Sequence, residues 1–120
     1  MAGEIEVTDE FIAWWSRLSE MQQDKATATV EILAERQTAM PYPHSSQINS
    51  SRHGHMRELR IRSGSSHIRI FYAFDPRRTG ILLIGGDKTG HDRFYEHFVP
   101  KADALYDEYL VELEKEGLLP

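Results

Sequence analysis

Between Met56 and Gly85 the chain carries three strand-like segments separated by two short turns, and this run limits the fold more than any other feature. Met56-Arg57-Glu58-Leu59-Arg60-Ile61-Arg62 alternates polar and apolar residues. So does His67-Ile68-Arg69-Ile70-Phe71-Tyr72-Ala73-Phe74, which is also rich in β-branched and aromatic residues. Ile81 to Gly85 is apolar on both faces, the pattern of a strand with neighbours on either side. Ser63-Gly64-Ser65-Ser66 and Asp75-Pro76-Arg77-Arg78-Thr79-Gly80 are the turns, with Pro76 presetting φ and Gly80 supplying the exit. Links this short join antiparallel neighbours, so a three-stranded meander is expected.

The flanks read as helices. Glu4-Ile5-Glu6-Val7 is a short strand, and Thr8 or Asp9 can cap a helix through Phe11, Ile12, Trp14, Trp15 and Leu18. Ser19 can cap a second helix to about Arg36, with Met21, Ala28, Ile32 and Leu33 expected toward the core. Met40-Pro41-Tyr42-Pro43-His44-Ser45-Ser46 reads as a loop, because its prolines and serines break both regular structures. After the meander comes a helical pattern with Asp92 as a possible cap, Pro100 as an interruption and Gly117 as its end. The expectation is one α+β domain over residues 1–120: an N-terminal strand, two helices, the meander joining the first strand in one sheet, and a C-terminal helix.

Charge is distributed in blocks. The net charge of −5 argues at first against nucleic acid, yet residues 52–93 hold nine basic and four acidic groups. Residues 1–51 hold three basic and eight acidic groups, and residues 94–120 two and seven. Four of the six histidines also fall in the basic block. A local positive field can bind phosphate on a protein that is acidic overall. Period-two geometry puts Glu58, Arg60 and Arg62 on one face of their strand, and His67, Arg69 and Phe71 on one face of the next. If those faces agree, one side of the sheet carries Arg60, Arg62, His67, Arg69, Lys88 and Arg93. Guanidinium forks suit phosphate, and such donors would stabilise the extra charge of a phosphoryl transition state. Tyr95 could stack on a base. Gly85-Gly86, at the end of the third strand, would let another backbone or a ligand approach closely.

Three other signals carry little. Asp87-Lys88-Thr89-Gly90 spells the start of a cation-pump phosphorylation motif, but the large domains that motif needs are missing. Gly86-Asp87-Lys88-Thr89 lacks the glycine before lysine that a phosphate-binding loop requires. His53-Gly54-His55 has two imidazoles without a third fixed ligand, so no metal is expected. There is no cysteine, and no apolar run exceeds Ile81-Leu82-Leu83-Ile84, so a cytoplasmic protein without a membrane partner is expected.

MRELRIR, HIRIFYAF and ILLIGGDKTG, in that order and spacing, resemble the RelE/ParE toxin superfamily, nearest its HigB-like branch. The flanking helices extend the resemblance over nearly the whole chain. It implies a type II toxin that cleaves mRNA, usually on the ribosome, by attack of a sugar 2′-hydroxyl on the adjacent phosphate, with no cofactor. It implies catalytic roles for Arg60, Arg69, Lys88 and His91, and RNA-binding roles for Arg57, Arg62, His67, Arg93 and Tyr95. His67 or His91 could serve as acid or base, since histidine titrates near neutrality. The implied partner is a cognate antitoxin, HigA-like with a helix-turn-helix, and Trp14 and Trp15 are assigned to core and antitoxin-side packing. The superfamily also contains inhibitors of DNA gyrase that cut nothing, so a ParE-like inhibitor and a non-toxic domain of the same fold stand as alternatives.

Overall fold

The computed structural model describes residues 3–120. Its elements in chain order are β1 (Ile5–Val7), α1 (Asp9–Trp15), α2 (Glu20–Arg36), a 3-10 turn (Gln37–Ala39), β2 (Ser45–Gln47), β3 (Arg57–Ser63), β4 (Ser66–Phe74), β5 (Gly80–Asp87) and α3 (Phe94–Lys115). The five strands form one mixed sheet in the order β1-β5-β4-β3-β2. β1 runs parallel to β5, and every other pairing is antiparallel.

The expected meander is present, and its register decides which side chains share a face. Arg60 pairs with Arg69, Arg62 with His67, and Glu58 with Phe71. Arg69 in turn pairs with Gly86. All of these project to the side covered by α3. Leu59, Ile61, Ile68, Ile70 and Tyr72 project to the other side, where they form a core with Phe11, Trp14, Ala26 and Leu33 from α1 and α2. On the α3 side, Phe71, Ala73, Ile81 and Leu83 pack with Phe94, Val99, Ala102 and Tyr106. That core also takes in Ile48 and Met56 just before β3, while farther along β3 the same face carries Glu58, Arg60 and Arg62.

The helix starts follow their caps. Thr8 Oγ accepts from Phe11 N at 3.0 Å and donates to Leu83 O at 2.6 Å, which ties α1 to β5. Ser19 and Gln22 form a reciprocal capping box at α2. The face of α2 differs from expectation: Met21, Ala28 and Ile32 are exposed, and Ala26 and Leu33 are the buried residues. A helix dominated by Ala, Thr, Gln and Glu has a weak apolar stripe, so contact with β3 sets its rotation.

Two further expectations are corrected. Ser45 and Ser46, assigned to a loop, open the edge strand β2, because Ser45 pairs with Leu59 and Gln47 with Arg57. Pro100 does not interrupt α3. It is exposed near the start of a 22-residue helix and forfeits its own amide bond, while Val99, Ala102, Tyr106 and Leu113 hold the helix by burial. Arg93, not Asp92, precedes the first helical residue, and it makes no side-chain cap.

Candidate nucleic-acid interface

The basic face of the sheet divides into a buried part and an open part. In the buried part, Arg69 is 5% exposed on the middle strand. Its Nε lies 3.4 Å from Glu58 Oε1 on β3, and its Nη1 donates to Ile68 O at 3.1 Å. Glu58 is likewise buried and also accepts from Tyr95 Oη at 2.7 Å. The Tyr95 ring is half-buried, edge-on to Phe71 and Phe94, with Lys88 Nζ over it at 5.3 Å from the centroid. Burial, and then the bond to Glu58, push the Tyr95 phenol above its ordinary value although Arg69 pulls the other way. The Tyr95 hydroxyl therefore keeps its proton and donates a hydrogen bond to a buried carboxylate.

The open part lies at the β3 edge. β2 ends its pairing at Leu59, so beyond His44, whose carbonyl accepts from Arg60 N at 2.9 Å, the upper half of β3 has no strand neighbour on that side among the described residues. A cleft of about 560 Å3 sits there, lined by Arg60, Arg62, His67 and Arg69 from the sheet. Lys25 and Thr29 of α2 and Pro43 and His44 of the preceding loop complete the wall with Ile61. Among the described residues no carboxylate lines this cleft. Lysine and arginine side chains from three elements, α2, β3 and β4, converge on it together with His44 and His67, and a phosphate-rich ligand is the chemistry such a lining suits.

The remaining candidates are distributed elsewhere. Lys88 continues the ladder, donating its backbone N–H to His67 O at 2.8 Å, and its side chain goes to Tyr95 rather than into the cleft. Asp87, next to it, accepts from His67 N and Thr89 N. Burial raises its carboxyl pKa, but the Thr89 and His67 hydrogen bonds outweigh that and hold it below the usual carboxylate range. His91 packs over the start of α3, its ring centroid 5.7 Å from Phe94 and 5.8 Å from His97.

Four of the expected contacts lie apart from the open cleft. Arg57 pairs with Tyr72, so it projects to the opposite face from Arg60 and Arg62, and its Nε donates to Ser45 Oγ at 2.8 Å. Arg93 is well exposed and faces Glu96 at 3.9 Å on its own helix, apart from the basic sheet face. Tyr95, assigned to base stacking, spends its hydroxyl on Glu58 and one ring face on Lys88. Gly85 and Gly86 admit aromatic side chains, not a ligand: a Cβ on Gly85 would lie 2.4 Å from the Trp14 ring, and one on Gly86 would lie 2.7 Å from Phe98.

Lys25, Thr29 and His44 escaped the sequence reading. Lys25 and Thr29 read as ordinary solvated positions of a helix, and only the packing of α2 along β3 brings them to the basic edge.

The comparisons with known proteins agree with this architecture. Residues 13–107 match the family model described as phage derived protein Gp49-like (DUF891). Two Mycobacterium tuberculosis proteins named as candidate toxins are similar in sequence. HigB2 is 36% identical over 104 residues, covering 85% of this chain and 52% of that protein. HigB3 is 36% identical over 98 residues, covering 81% and 84%. The chain thus spans about half the length of HigB2 and most of HigB3. Among solved structures, free E. coli toxin RelE, in a mutant form, superposes with a TM-score of 0.59 at 11% identity, over 80% of this chain and 94% of that one. RelE of the archaeal RelE–RelB complex from Pyrococcus horikoshii gives 0.56 at 12% identity, over 75% and 99%. The fold is that of RelE, and the chain belongs to the Gp49-like family, with HigB2 and HigB3 among its sequence relatives.

Proposed function

We propose that this protein is the toxin of a type II toxin–antitoxin pair and acts as an endoribonuclease on mRNA, on the ribosome, in the cytoplasm. The observation that carries this reading is the carboxylate-free cleft at the β3 edge, where Lys25, His44, Arg60, Arg62 and His67 converge on a fold shared with RelE. In the proposed reaction the 2′-hydroxyl attacks the adjacent phosphorus, the bond to the 5′-oxygen breaks, and a cyclic phosphate and a 5′-hydroxyl are left. One group must take the 2′-proton and another must protonate the leaving oxygen. His67, on the cleft wall beside Arg62, is the titratable group best placed for one of these transfers. Arg60 and Arg62 would grip the phosphate and its developing charge. Lys88 would add charge beside Tyr95. Arg69 would act from below, as a buried cation that positions Glu58 and Tyr95.

Silencing by a cognate antitoxin, HigA-like with a helix-turn-helix, is the partner half of the proposal. It is supported by an apolar groove of about 340 Å3 beside the sheet-edge strand β1, lined by Ile5, Val7, Phe11, Ile12 and Trp15. Among the described residues no helix is long and apolar enough to cross a membrane.

The test is brief induction in a bacterial host of the chain and of an Arg60→Ala/Arg62→Ala variant, with new RNA 5′ ends mapped within minutes. Arrest with cuts inside translated messages, lost in the variant, is the expected result. Arrest without cuts would point to inhibition of a host protein such as gyrase. Soluble protein with neither arrest nor cuts would end the toxin reading.

A further inference from the structure

We infer that Tyr42, with Arg60 behind it, is the base-stacking platform of the cleft, and that Lys25 carries the RNA backbone across onto α2. This inference rests on the ribonuclease reading and assigns the ligand contacts of the same cleft. Tyr42 is 70% exposed, the most exposed of the large apolar side chains among the described residues. It is not loosely placed. Met40 anchors the start of its loop in the core at 2% exposure. Ser45 N donates to Pro41 O at 3.1 Å, closing the loop on itself, and Arg60 N donates to His44 O at 2.9 Å, fastening its end to the β3 edge. The fastened loop sets the Tyr42 ring over the Arg60 guanidinium, with Cζ 5.3 Å from the ring centroid.

An aromatic ring backed by a guanidinium, open on its outer face and bordering a positive cleft, has the parts a single-stranded nucleotide needs. The ring offers a π-face that any base can stack on. The guanidinium behind it holds the ring flat and keeps donors for the neighbouring phosphate. Pro43 and His44, next in sequence, line the cleft itself, and Lys25 and Thr29 stand on its α2 wall. A strand with one base on Tyr42 therefore passes from Arg60 and Arg62 toward Lys25. Tyr95 offers less open ring, because it is half-buried edge-on against Phe71 and Phe94, whereas Tyr42 is exposed. The duty expected of Tyr95 thus falls to a tyrosine from the other side of the β3 edge.

The experiment measures binding of a labelled single-stranded RNA, fully 2′-O-methylated so that it cannot be cut, by fluorescence anisotropy across a salt series. Wild type is compared with Tyr42→Ala, Tyr42→Phe and Lys25→Ala. Tyr42→Ala is expected to lose roughly tenfold or more in affinity, as removal of a stacking ring does. Tyr42→Phe keeps the ring and should bind like wild type. Lys25→Ala should lower the slope of log affinity against log salt by about one. Wild-type affinity in Tyr42→Ala, or equal loss in the Phe and Ala variants, would overturn the platform and leave the ribonuclease reading standing. No binding by wild type itself would overturn the platform, while the ribonuclease reading stands or falls on the mapped RNA 5′ ends.

Discussion

Arg60 and Arg69 are register partners on one face of the sheet, and they have different fates. Arg69 stands on the middle strand, with β3 on one side and β5 on the other. It is almost fully buried and is matched to a buried carboxylate, Glu58. Arg60 stands on β3 where β2 has already ended, is half-buried, and lies against the face of an exposed tyrosine. A sheet centre has no water to solvate a cation, so it must supply a counter-charge. A sheet edge leaves the cation its solvent and therefore its capacity to bind something else. The difference separates cations that organise the site from those free to meet a ligand.

Removing the counter-charge at the centre should have the largest effect. Glu58→Ala leaves the Arg69 guanidinium buried and unpaired, and is expected to cost about 3–5 kcal/mol in urea unfolding. Glu58→Gln should cost less, because it keeps an acceptor for Tyr95. If Glu58→Ala unfolds like wild type, Arg69 is not held as described. The edge should behave in the opposite way. Arg60→Ala/Arg62→Ala should change stability by no more than about 1 kcal/mol, while the salt slope of RNA binding falls by about two. A large stability loss without a change in slope would put these arginines with Arg69. The smallest effect is one of pH. Because the folded chain holds the Tyr95 phenol above its unfolded value, its contribution is complete below about pH 10 and is lost as pH rises through the folded value. Tyr95→Phe should therefore flatten the alkaline limb of the stability curve, and an unchanged limb would rule out the buried Tyr95 phenol as its source.

Much of this architecture was legible because period-two alternation is a local property. The faces of Arg60, Arg62, His67 and Arg69 follow from counting, and the registers agree with that count. Counting also puts Arg57 on the opposite face from Arg60 and Arg62, as its pairing with Tyr72 does. What was not legible depends on neighbours. β2 is three polar residues whose strand character comes from pairing with β3. The rotation of α2 comes from contact, and with it the place of Lys25. Burial of Arg69 could not be read from an alternating strand, since it depends on which strand ends in the middle of the sheet. Glu58 was seen on the right face, but nothing in the sequence marks it as the partner of both Arg69 and Tyr95.

Gly85 and Gly86 sit at adjacent positions on β5 and point to opposite sides, so the wall between the two helical layers is only main chain there. A methyl group added at 85 would lie 2.4 Å from Trp14, and one at 86 would lie 2.7 Å from Phe98. Neither site can drift alone. A lineage that acquires a side chain at one of them must trim the matching aromatic in the same step or soon after, so Gly85 with Trp14 and Gly86 with Phe98 are expected to change as pairs. Covariation between these positions across relatives would then record contacts between layers that lie far apart along the chain.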